Sequence, residues 1–293
     1  MRAAIAATSG TVDRLNELSR GAHQRRHRTT DWPDQLDTER DWFFPPELSS
    51  LHGTSYWEAL DGPAVHRLAL HEAANLLSVS LHATDALIDG LSSRLHRADL
   101  TPVAGYLRDF LEDERDHVAR LRQFCQRYAK VYPSRCPPIP GRPDPDVSDL
   151  LFFARTLVVT ELADRYAALL SADDRLHPLA RSLHAARHAQ QSRHLVFTRA
   201  MVRAFRAVFA PAWPAGTVAE LHAHLGGFVT ATWREYYNPD VYADCGLADP
   251  HHVAEVAWRT PAQHDHRRRL SAGCLRFLRS EGLLPAEPTG AGP

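Results

Sequence analysis

Apolar residues recur with helical spacing over four long stretches that begin after Pro63. Thr101-Pro102, the proline-rich run from Pro133 to Pro145, His177-Pro178 and Pro211 to Pro214 interrupt the pattern. A helix stops or restarts at each of them, because proline has no N–H and clashes with the preceding turn. The breaks predict core helices near 63–95, 102–130, 147–171 and 179–209. A fifth helix is expected over 216–236, and weaker helical spacing resumes at 251–258 and 262–282. Strand-type alternation is almost absent, and no internal repeat of about 20 to 50 residues is found. The fold class is therefore all-α, and a helical bundle is the simplest way to bury four apolar stripes against one another.

The rest of the chain reads differently. Residues 1–30 are polar and Arg-rich, which predicts a flexible N-terminal segment with a short helix from Thr11 to Arg20, outside the core. From Asp41 to Leu60 the run DWFFPPELSSLHGTSYWEAL combines aromatics, paired prolines and Gly53, which suits an ordered arm laid over the bundle. Residues 31–284 are then expected to form a single helical domain, and 285–293 a disordered tail.

Composition sets the outer limits. With 293 residues, 44% hydrophobic, the chain can bury one large core, which excludes a fibre, a coiled coil or a wholly disordered protein. Lys+Arg 34 against Asp+Glu 35 leaves a net charge of -1, so nucleic acid is not an expected partner. Lys130 is the only lysine, and with the high Ala content this reflects codon usage in a GC-rich genome. Cys125, Cys136, Cys245 and Cys274 form no C-x-x-C pair, so neither a cysteine zinc site nor a disulfide framework is indicated. The apolar stretch Ala3 to Ala7 is brief and precedes the basic cluster Arg25, Arg26 and Arg28, the reverse of a secretory signal. No apolar run reaches the roughly 18 residues of a membrane span, and a cytoplasmic protein is expected.

The 18 histidines raise a metal hypothesis, and the positions of the acids sharpen it. On the first core helix Glu72 sits among Val65, Leu68, Ala69, Leu76 and Val79. On the second, Glu114 and His117 form an inward E-x-x-H pair within the stripe Leu107, Phe110, Leu111, Val118 and Leu121. Glu161 lies in the stripe Leu150, Ala154, Leu157, Val158 and Ala168, while Gln191 and His194 lie among Leu183, Phe197 and Met201. Buried carboxylates need cations to face, and Glu with E-x-x-H spacing on successive helices is the ligand pattern of ferritin-like dimetal bundles. Carboxylate oxygen with imidazole suits iron or manganese, with positions open to O2. Against this, a lone helical Glu is usually solvated, and Glu72 could pair with an arginine of a neighbouring helix. Asp85, Asp89, Glu112, Asp113 and Asp116 are assigned to solvated faces or surface salt bridges, and His222 and His224 to packing or surface.

From Trp42 to Leu247 the chain resembles the p-aminobenzoate N-oxygenase-like diiron proteins. The resemblance rests on the arm PPELSSLHGTSYWEAL, the order Glu72, Glu114-x-x-His117, Glu161, then SRHLVF with His194, and the segment NPDVYADCGL. It implies a ferritin-like bundle of four core helices with added C-terminal helices and an N-terminal arm. It implies Glu72, Glu114, His117, Glu161 and His194 as ligands of iron (two ions or one, with manganese also suited), and O2 as co-substrate. A small amine would be oxidised in a biosynthetic reaction with an external electron donor, and a homodimer fits the family. The fourth helix departs from the family's His-x-x-x-Glu-x-x-His, with Arg187, Gln191 and His194 at those positions. A guanidinium cannot ligate a metal, and Gln bridges metals poorly. His184 and His188 are the candidates to replace the altered ligands. Three readings stay open: an N-oxygenase with an altered second site, a mononuclear-metal oxidase, and a non-catalytic bundle with a degenerate site.

Overall fold

The computed structural model describes residues 2–23, 31–135 and 145–286. Its α-helices, in chain order, are α1 (Arg2–Ala6), α2 (Ser9–His23), α3 (Ser55–Glu58), α4 (Gly62–Arg94), α5 (Ala104–Tyr128), α6 (Pro145–Ala172), α7 (Pro178–Phe209), α8 (Ala215–Arg234), α9 (Pro239–Asp244), α10 (Pro250–Arg259) and α11 (Pro261–Ser280). Among the described residues no strand forms; an isolated bridge joins Trp42 to Leu176. The starts of the helices follow from local chemistry. Asp61 caps α4 by accepting from Ala64 N at 2.8 Å, with Pro63 in the first turn. His177 Nδ1 accepts from Leu179 N at the start of α7, directly before Pro178.

Helices α4 and α5 form one hairpin and α6 and α7 a second, and the two pack through α4 on α6 and α5 on α7. The seam is built from Leu76, Phe110, Leu121, Leu157, Phe197 and other fully or nearly fully buried side chains. Close approach is local and steric. The Phe152 ring lies where a Cβ on Gly90 would stand, and Arg94 lies over the ring 3.9 Å from its centroid, so a glycine inside α4 admits an aromatic from α6. Helices α8 and α11 cover α6, and α9 packs on α4.

The N-terminal segment departs from expectation. Ile5, Val12 and Leu15 are buried in the main core, where α1 meets α7 and α2 meets α5 and α7. Three apolar residues suffice because α5 and α7 present a wide apolar flank that these short helices cover. The arm over residues 41–60 is anchored by buried Phe43, Phe44 and Leu51, and His177 N donates to Trp42 O at 2.8 Å. The basic cluster Arg25, Arg26 and Arg28, the middle of the proline-rich break, and the tail from residue 287 lie outside the described residues. No helix among the described residues is long and apolar enough to cross a membrane.

Candidate functional site

The middle of the bundle is organised around a positive side chain. Arg187 on α7 is buried, and its Nη1 donates to both oxygens of Glu114 on α5, at 2.8 and 3.0 Å. Gln191, one turn further along α7, is fully buried. With its amide oxygen turned to the guanidinium, the orientation its surroundings require, it accepts from Arg187 Nη1 at 3.0 Å and from Nε and Nη2 as well. Burial alone would raise Glu114, but Arg187 and then His194 hold it well below the usual carboxylate range. His194 stands between two acids, with Nδ1 3.1 Å from Glu114 Oε1 and Nε2 3.0 Å from Asp113 Oδ2. Burial and the Arg187 charge hold His117 well below its ordinary value, and burial brings His184 down to about 4. His117, His184 and Arg187 line one small cavity, and Arg187 also borders a second with Ser80, Ala163 and Tyr236.

The structure therefore gathers Glu114, His117, His184, Arg187, Gln191 and His194, while the other expected ligands turn elsewhere. Glu72 is buried on α4 as its register requires, yet its Oε1 accepts from Ser50 N at 2.7 Å and from Ser50 Oγ, both on the arm. Burial pushes it up to about 7, against the Ser50 hydrogen bonds. Glu161 is buried on α6, but its Oε2 accepts from Arg199 Nη2 at 2.5 Å. Its Oε1 occupies the space that a Cβ on Gly273 of α11 would fill. His188 is exposed and pairs with Asp164 at 2.7 Å, so it does not reach the centre. Glu72, Glu161 and His188 thus meet Ser50, Arg199 and Asp164 in this structure, apart from Glu114.

Asp113 also departs from its expected solvated face. It is fully buried, and its carboxylate takes Arg193 at 3.2 Å as well as His194. It lies beside the apolar stripe of α5, on a flank that α7 and the N-terminal helices close off. The adjacency of Asp113 to Glu114 and of Arg193 to His194 was the available sequence signal. Of the acids assigned to the surface, Asp85 pairs with Arg122 in an exposed bridge. His222 is half-buried and meets Gly282 O at 3.0 Å, and the ring of His224 meets Arg155.

These residues do not fit a pair of metal ions. Among the described residues no three His, Cys, Asp or Glu side chains come together in a way that could hold a metal. Both oxygens of Glu114 face Arg187, whose N–H groups donate and have no lone pair to offer a metal. Two ferrous ions added beside a retained guanidinium would leave positive charge uncompensated in a low-dielectric interior.

A helical bundle with Glu, Glu-x-x-His, Glu and His on four successive core helices is by class a ferritin-like carboxylate bundle. A family model described as P-aminobenzoate N-oxygenase AurF matches residues 8–282, and the chain belongs to that family. The family is one of diiron oxygenases, which makes iron the metal to test. No curated protein matches the chain.

Proposed function

We propose that this chain is a metal-free member of the family, in which Arg187 supplies the positive charge that the buried Glu114 requires, and that it acts as a non-catalytic binding protein on an oxygenase scaffold. One observation carries the reading: the buried contact of Arg187 Nη1 with both Glu114 oxygens, with Gln191 on the same guanidinium. A buried carboxylate needs a cation, and here the chain brings its own. N-oxygenation of a small amine with O2 and an external electron donor needs two metals where a guanidinium stands. A mononuclear-metal oxidase is the second reading, favoured by the unpartnered buried oxygens Glu72 Oε2 and Glu161 Oε1. It requires Arg187 to leave Glu114.

What this chain's own residues do is positional. Arg187 fixes Glu114 and Gln191, Asp113 accepts from His194 Nε2, and the apolar seam surrounds them. Loading with ferrous ion under anaerobic conditions, followed by desalting and metal analysis, tests the proposal. Wild type should retain iron far below one ion per chain, and the double variant Arg187→His, Gln191→Glu should retain more. Stoichiometric iron in the wild type, with oxygen consumption in the presence of aryl or alkyl amines, would overturn the reading.

A further inference from the structure

Helices α7 and α11 carry a one-sided charge. α7 has six arginines and no Asp or Glu, and α11 has five arginines and one acid, Asp265, in a chain whose net charge is -1. Arg187 and Arg193 turn into the core, to Glu114 and Asp113. Further along, α7 meets α11 at the surface. Arg199 and Arg203 lie over the Phe277 ring of α11, 5.4 and 5.0 Å from its centroid. Arg206 Nη2 lies 3.5 Å from where a Cβ on Gly282 would stand, and Arg165 Nη2, from α6, lies 3.2 Å from where one on Gly273 would stand. Four guanidinium groups therefore follow one another from Gly273 to Gly282, about 13 Å at the helical rise.

Carboxylates offset only part of this row. Arg199 Nη2 donates to Glu161, and Arg203 Nε donates to Glu281 at 2.9 Å. Asp164 and Asp265 turn instead to His188 and Arg268. The side chains of Arg165 and Arg206 make no hydrogen bond or ion pair among the described residues, and Arg199 Nε is buried without a partner. Arg269 and Arg276 are exposed and stand four residues before and three after Gly273, which adds charge to the same face of α11. Like charges three and four residues apart repel, as Arg199, Arg203 and Arg206 do on α7, and an anion laid along the row would relieve that repulsion. Phe277 is buried beneath Arg199 and Arg203, so the row presents forked N–H donors rather than a ring face. Such forks match phosphate oxygens in pairs.

We propose that this row is a binding site for a soluble linear oligophosphate, laid along α11 between Arg165 and Arg206. The proposal goes beyond the functional reading above and does not rest on it. Arg199 stands twelve residues past Arg187, about 18 Å of helix, and the row is complete whether or not the centre holds iron.

Calorimetric titration of the full chain with sodium tripolyphosphate tests it, at about 0.15 M salt, where exposed charges more than about 8 Å apart are largely screened. Orthophosphate and hexaglutamate are the comparison ligands. Tripolyphosphate should bind at least about tenfold tighter than either, because it alone brings linked phosphate groups to several guanidinium groups, and one charged hydrogen bond is worth about tenfold or more. The double variant Arg165→Gln, Arg206→Gln removes two guanidinium groups that hold nothing in the fold, and should weaken tripolyphosphate about tenfold or more. Arg108→Gln, Arg115→Gln removes the same charge from exposed positions of α5 and should leave binding unchanged. Near-ultraviolet circular dichroism checks both variants, and the wild-type comparison of ligands decides if one does not fold. No tripolyphosphate binding, equal binding of orthophosphate or hexaglutamate, unchanged binding in the first variant, or an equal loss in the second would overturn the proposal. So would binding to phosphatidylglycerol vesicles without binding of tripolyphosphate, which would make the row a membrane contact. Iron loading is read separately, so a wild type that holds iron and still binds tripolyphosphate would sink the functional reading and leave this one standing.

Discussion

Replacing Arg187 with methionine keeps most of the side chain's length and removes its charge. Glu114, fully buried, would then face the His194 ring at 3.1 Å with no guanidinium. Breaking a buried ion pair from one side costs about 3–5 kcal/mol, because the remaining charge keeps its desolvation penalty and loses its partner. For a chain of this size each kcal/mol moves the melting temperature by about 2–4 °C, so a fall on the order of 10 °C is expected at pH 7. The double variant Arg187→Met, Glu114→Gln should recover most of the loss, since both charges are gone. The pH dependence gives a second check. In the wild type the Glu114 carboxyl is held low, so its contribution is complete above the unfolded carboxylate range and is lost as pH falls towards its folded value. In Arg187→Met burial raises the same group, so that variant loses stability as pH rises. The gap between them should be widest at neutral pH and close towards acid. Urea unfolding across pH 4 to 8 measures it. A loss below about 1 kcal/mol at pH 7, or no rescue by Glu114→Gln, would show that Arg187 is not the counter-charge of Glu114.

Gly273→Ala places a methyl group on Glu161 Oε1 and should cost about 1–3 kcal/mol in urea unfolding, with Glu161→Ala relieving the loss; additive effects would mean the two do not touch. Glu72, raised by burial to about 7 from an ordinary value of 4.5, binds a proton in the folded state that the unfolded chain releases between those values. Its contribution is therefore full below pH 4.5 and lost as pH rises to about 7, so Glu72→Gln should gain on the wild type by up to about 3 kcal/mol over that range; a pH-independent difference would refute this.

The helices were legible because their punctuation is covalent. Pro63 and Pro178 near the starts of α4 and α7 bring the expected bounds to within a residue or two of the observed ones. Ile5, Val12 and Leu15 were not legible as core, since three apolar residues in a polar segment make no sustained period. At the site, register was legible and direction was not. Helical spacing fixes where a Cβ points, and Glu72, Glu114, His117, Glu161 and His194 are all buried. The last torsions of Glu72 and Glu161 are set by Ser50 and by the bare backbone at Gly273, which belong to other elements of the fold. The inward position of Arg187 followed from its spacing to His194, whereas the identity of its partner depended on how α5 meets α7.

That arrangement makes a return to a metal centre a linked event. In the double variant Arg187→His, Gln191→Glu, the centre loses its resident cation and gains a carboxylate. Glu114 and the new acid would sit in an apolar interior with neutral His117 and His194 as neighbours, and the metal-free variant should be less stable than wild type. An ion that binds only the folded state adds stability by mass action, about 1.4 kcal/mol for each tenfold rise in free ion above its dissociation constant. The variant's melting temperature should therefore climb with anaerobic ferrous ion, while the wild type, whose Glu114 is already held by Arg187, should not respond. A wild-type melting temperature that rises with ferrous ion to the same extent would mean that iron displaces Arg187 from Glu114. The guanidinium would then be a place-holder in a working metal site.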